Sequence, residues 1–202
     1  RLEEGDPEAV SRWRTFRDLS LGEFERIYKR LNVSFDHYTG ESFYNDKMDD
    51  ALDRVRAAGA AERGDDGAEL IRLDDFGMPP FILKKSDGAT LYATREIAAA
   101  IYRRETYKPD LSLYVVGTPQ ELHFRQLIES LKLMGFDWAD RLVHVKFGHV
   151  HGMSTRKGTV VLLEDVLDEA ASKAREKVIE NMEAGKLDDD VDPDALAETV
   201  GM

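Results

Sequence analysis

Apolar residues recur along this chain in two rhythms. From Leu21 the positions Phe24, Ile27, Tyr28 and Leu31 return at steps of three and four, one face of an amphipathic helix. Ser20 precedes that run with Glu23 three residues on, a capping box. Residues 1–19 are charged, with Trp13 and Phe16 for docking, and read as the tail of a helix that starts earlier. Residues Val33 to Asp36 predict a short strand, and Lys47 to Ala58 a helix closed by Gly59. Residues 68–92 read as β-structure: Glu69 to Leu73 and Pro80 to Lys84 are strand-like, and Ser86-Asp87-Gly88 is a hairpin turn. Thr94 then caps a helix predicted from Arg95 to Arg104.

The second half changes rhythm. Leu111 to Val116 is a buried-strand run. It is followed by Thr118 as N-cap, Pro119 at the first helical position and Glu121 completing a capping box. That helix reaches about Met134 and stops at Gly135, and Leu142 to Phe147 is a second strand. Strand, helix and strand so close in sequence form a βαβ unit, whose strands run parallel. A glycine-punctuated loop, Gly148 to Gly158, comes next, then a possible strand over 159–163. An amphipathic helix covers Glu164 to Met182, and an acidic connector leads to a last helix from Asp194. Both chain ends read as cuts, and there are no internal repeats.

Composition narrows the class. The 202 residues carry 40 acidic and 28 basic side chains, for a formal charge of −12, which is not the profile of a uniformly basic nucleic-acid binder. The absence of Cys excludes disulfides, thiolate metal sites and Cys nucleophiles. No apolar run reaches membrane-span length and no signal segment opens the chain, so a soluble, cytoplasmic protein is expected. The charge is uneven: residues 84–163 hold 8 acidic and 12 basic side chains and four of the five His, against acidic flanks. An anionic ligand belongs in that stretch.

In open parallel sheets ligands bind beyond the carboxyl ends of strands. Two loops lie there, Gly117 to Gln120 and Gly148 to Gly158. The second packs Ser154, Thr155, Arg156 and Lys157 between glycines, hydroxyls and cations that suit a polyphosphate; a solvated basic turn is the plainer reading. His149 and His151 alternate and could share a face, with His144 and His123 elsewhere, but no carboxylate or Cys completes a set. No metal site is expected. The acidic run 188–190 reads as a solvated connector.

Four blocks, in order, resemble the arginyl-tRNA synthetases, class I enzymes that charge tRNA with arginine. Gly152-Met153-Ser154-Thr155-Arg156-Lys157-Gly158 is similar to that family's divergent "KMSKS" loop. Residues Asp87 to Ala98 resemble its hairpin-and-helix arginine-binding segment, Tyr114 to His123 the strand and helix entry that follows, and Phe35 to Ser42 an earlier connective segment. The resemblance implies that Tyr92, Glu96 and Gln120 surround the substrate arginine. A carboxylate is the natural partner of a guanidinium. The family usually has Asp where this chain has Glu96. Without the resemblance, Glu96 is an acid favoured by the helix dipole and Gln120 an exposed first-turn residue.

The resemblance further implies that Met153, Ser154, Thr155, Arg156 and Lys157 lie on the phosphates of Mg-bound ATP, with His149 and Val150 near the adenine. Gly152 and Thr155 replace the usual lysines, so Arg156, then Lys157, is the candidate for transition-state charge. ATP with Mg²⁺ enters as substrate, arginine and its tRNA are the partners, no membrane is involved, and a monomer is expected. The fold implied is α/β: a partial Rossmann-like parallel sheet, the second half of the nucleotide fold, with an α+β connective insertion. Residues 1–83 are then the insertion and a preceding helix, 84–163 the half nucleotide fold, and 164–202 an acidic helical segment leading to a helical domain. No H-x-G-H signature occurs, so the chain by itself is expected not to form arginyl-adenylate. The alternative is a non-catalytic nucleotide- or RNA-binding module on a synthetase-derived fold.

Overall fold

The structure, a computed structural model, describes residues 6–148, 161–188 and 190–202. It divides into two compact units, Tyr38–Val150 and the pairing of Arg1–His37 with His151–Met202.

In the second of these, α1 (Pro7–Arg30) is one helix where the pattern predicts two. Its start is fixed by Asp6, whose carboxylate accepts from the Ala9 N–H at 2.9 Å, and by Pro7 at the first helical position. Ser20 and Gly22 are therefore interior. Gly22 costs about 1 kcal/mol relative to Ala there, less than the loss from breaking and renucleating the helix. Residues 33–36 are not a strand: Phe35 turns back and sets its ring edge-on to Tyr28, 4.7 Å between centroids. The expected strand near 159–163 is also absent from its described part, since α5 (Leu163–Glu183) starts at Leu163. Arg30 of α1 bonds Asp168 of α5 and Glu198 of α6 (Pro193–Gly201). Arg26 pairs with Glu164.

The unit 38–150 carries the larger core. A helical turn over Glu41–Lys47 leads into α2 (Met48–Ala57). Then β1 (Glu62–Arg63), β2 (Glu69–Ile71) and β3 (Phe81–Lys84) form an antiparallel sheet in the order β1-β2-β3. Leu52, Ile71, Leu73, Leu83, Ile97, Leu127 and Leu131 are fully buried where these elements meet α3 (Tyr92–Tyr107) and α4 (Glu121–Leu133). The expected turn at Ser86–Gly88 forms, with Gly88 at φ 90° and Ala89 N–H bonded to Asp87.

The expected βαβ unit is present: β4 (Ser112–Gly117) and β5 (Leu142–Phe147) run parallel, joined through α4, with Tyr114 opposite His144 and Gly117 opposite Phe147. Leu111 to Val116 reads as a wholly buried run, yet only one face is covered. Tyr114 and His144 pack on Phe124 of α4, while Leu113 and Val115 are 58% and 65% exposed. Thr118 does not cap α4. A tight 3₁₀ turn, Thr118–Gln120, intervenes, and the Thr118 hydroxyl donates to the Phe147 carbonyl at 3.0 Å, tying the carboxyl ends of the two strands together.

Candidate functional site

Of the residues assigned to the arginine pocket, Tyr92 and Glu96 come together on α3. The helix begins at Tyr92, two residues before the expected cap, because Thr94 is used otherwise. Its buried hydroxyl donates to the Leu83 carbonyl at 2.7 Å, and the Leu91 N–H donates to the same oxygen at 2.9 Å. The start of α3 is thereby pinned to β3. Tyr92 and Glu96 are then i,i+4 neighbours, and the Glu96 carboxylate lies on the same helix face as the Tyr92 phenol. Burial first, then this carboxylate, and next Glu41, raise the phenol above its ordinary range, while Arg103 opposes them.

The neighbouring side chains fix this arrangement. Arg95, beside Glu96, bonds Asn45 and Glu41, each at 3.1 Å, and holds the turn 41–47 against α3. Arg103, two turns beyond Glu96, lies 5.4 Å from the Tyr44 ring and 5.3 Å from the Tyr114 ring. It has no carboxylate partner among the described residues. Burial works against its charge, and the contacts with Tyr114 and Tyr44 outweigh that. The sequence reading passed over Arg103; its spacing of seven from Glu96 on one helix was the available signal.

Gln120 is exposed on the turn entering α4, three residues before His123. His123 stands one turn into its helix. Its ring centroid lies 4.8 Å from Tyr92, 5.4 Å from Phe81 and 5.5 Å from Phe124. Its Nε2 is buried without a partner among the described residues. Burial alone pulls its pKa down to about 4. His144 sits on the other side of Phe124 and shares a hydrogen bond of 2.8 Å with the Val116 carbonyl. Among the described residues no three His, Cys, Asp or Glu side chains gather as a metal site. His149, Val150, His151, Met153, Ser154, Thr155, Arg156 and Lys157 lie outside the described residues. A groove of about 540 Å³ lies elsewhere, lined by Arg56, Arg63, Lys84 and Lys85 around Glu69.

A family model described as tRNA synthetases class I (R), catalytic domain, matches residues 1–202. The chain belongs to this arginyl-tRNA synthetase family. An arginine–tRNA ligase of Clostridium perfringens is 51% identical over 184 residues, 89% of this chain and 32% of that protein. One from Clostridium botulinum is 50% identical over 177 residues, covering 86% and 31%. The chain thus spans about a third of the length of the curated relatives it matches. Among solved structures, arginyl-tRNA synthetase from Plasmodium falciparum superposes with a TM-score of 0.83 at 26% identity, over 99% of this chain and 34% of that one. The arginyl-tRNA synthetase of Thermus thermophilus shares the fold, with a TM-score of 0.70 at 18% identity over 98% and 42%. The α/β reading with a small parallel sheet holds for this synthetase chain. No described helix is long and apolar enough to cross a membrane.

Proposed function

We propose that this chain supplies the arginine pocket and part of the ATP site of an arginine–tRNA ligase. The observation that carries the reading is the Tyr92–Glu96 pair at the start of α3, Tyr92 exposed and Glu96 half-buried, in a chain about half identical to arginine–tRNA ligases. Glu96 takes the substrate guanidinium in charge-assisted hydrogen bonds, Tyr92 limits where that group sits, and Gln120 closes the pocket from the entry to α4. Arg156 and Lys157, with Ser154, Thr155 and Met153, meet the triphosphate of ATP, and His149 and Val150 its adenine. Mg²⁺ accompanies the nucleotide as part of the substrate.

In the reaction proposed, an oxygen of the arginine carboxylate attacks the ATP α-phosphorus. The bond to the β-phosphate bridging oxygen breaks and pyrophosphate leaves. A ribose hydroxyl at the 3′ end of the tRNA then attacks the carbonyl of the adenylate and releases AMP. The side chains position the reactants and balance charge, which is the main requirement of a transfer at phosphorus. The ligase works in the cytoplasm as a monomer.

Calorimetry of the chain with arginine and with lysine tests the pocket. Arginine is expected to bind more tightly, because an ammonium cannot match the guanidinium's two-pronged geometry. Glu96→Ala is expected to weaken arginine binding by roughly tenfold to a hundredfold, the worth of a charge-assisted hydrogen bond of about 1.5–3 kcal/mol. Equal binding of the two amino acids, or an indifferent Glu96→Ala chain, would sink the assignment.

A further inference from the structure

The residue best placed to govern Tyr92 has no assigned part in the pocket. We infer that His123 is a positioning residue, whose ring, wedged between Phe81 and Phe124, backs the Tyr92 ring and holds the phenol at Glu96. The inference rests on the arginine-site reading above and deepens it.

Tyr92 stands on the first turn of α3, 43% exposed, where its two side-chain torsions are free to choose other rotamers. Whether its hydroxyl faces Glu96 depends on how the ring plane is set. His123 comes from a different element, α4, and meets the Tyr92 ring at 4.8 Å with an interplanar angle of 42°. Phe81 on β3 and Phe124 on α4 hold the imidazole from its other sides. Three elements, β3, α3 and α4, therefore meet at this imidazole, and it carries the contact on to the phenol. Among the described residues the buried Nε2 has no acceptor to which a protonated ring could donate, so protonation is disfavoured. The wall behind a site for a cationic side chain thus carries no second positive charge.

The test compares His123→Phe, which keeps a flat ring, with His123→Leu, which keeps apolar volume only. His123→Gln carries the same comparison if the Leu chain does not fold. Ring-¹³C tyrosine NMR follows ionisation of Tyr92, with Tyr92→Phe assigning the signal. In wild type and His123→Phe, Tyr92 should titrate above the free phenol near 10. In His123→Leu the phenol should titrate about as a free tyrosine, and arginine affinity should fall about tenfold. Tyr92 titrating identically in His123→Leu and wild type overturns the inference, whatever arginine does. A displaced Tyr92 titration with unchanged arginine binding upholds the positioning and refutes the arginine site instead.

Discussion

Thr94 shows how much one side chain can decide. Its hydroxyl is buried and serves the Leu83 carbonyl, not its own helix, and that choice sets where α3 starts and so the angular position of Tyr92 and Glu96. Thr94→Val removes the donor with little change of shape. The Leu83 carbonyl keeps the Leu91 N–H, so no acceptor is orphaned. The expected loss is therefore about 0.5–1.5 kcal/mol by denaturant unfolding, the net worth of a neutral hydrogen bond, and not the larger penalty of a stranded polar atom. The sequence shows Thr94 only as a plausible cap, because threonine serves both roles and the carbonyl it meets is eleven residues away. Tyr92 and Glu96 were named together through the family resemblance, since Glu96 by itself is a first-turn acid that the helix dipole favours. His123 was not legible as their neighbour, since its contacts come from β3 and α3, and no periodicity within α4 reveals them.

At the level of elements, the parallel unit was legible because strand run, Pro at the helix start and stopping glycine all agreed. The failures fall where local signals competed. The capping box at Ser20 and Glu23 lost to Asp6-Pro7, since a helix already running has no orphan N–H groups at Ser20 to satisfy. The alternation of exposed Leu113 and Val115 with inward Tyr114 was hidden because apolar residues occupy both faces of β4. The contact of α5 with α6 was also invisible. Gly201 of α6 sits so close to α5 that a Cβ there would come within 2.9 Å of the Ala171 Cα and 3.0 Å of its nitrogen. Backbone cannot yield as a side-chain tip can, so Gly201→Ala must push the helices apart, at about 1–3 kcal/mol for overpacking. Hydrogen exchange should show the α6 amides opening faster in that variant with those of α4 unchanged. Equal protection in α6 would mean that its last turn bends away at no cost.

Across the whole molecule, the −12 charge says little about the ligand but much about pH. Glu69 is held low, first by its hydrogen bonds to Arg56, and Glu121 likewise by Lys146. Their folded pKa values are depressed, so the stability they add is present above the unfolded carboxylate range and is lost as pH falls through the folded values. His123 acts earlier. In the unfolded chain its imidazole takes a proton near its ordinary 6.5, whereas the folded ring resists down to about 4. Between those values the unfolded state binds more protons, so stability drops as pH falls from 6.5 to 4, with a slope of at most one proton from this residue. Denaturant midpoints measured across this window should decline in the wild-type chain, ahead of the carboxylate-driven loss below about pH 4. In His123→Phe the decline should lessen by that one proton and the lower limb should remain. The Phe ring keeps the packing against Phe81, Tyr92 and Phe124, so the two chains differ in this window by the titration of one group. An unaltered slope in His123→Phe would place the imidazole in contact with water, and would take from it the part of a neutral wall behind Tyr92.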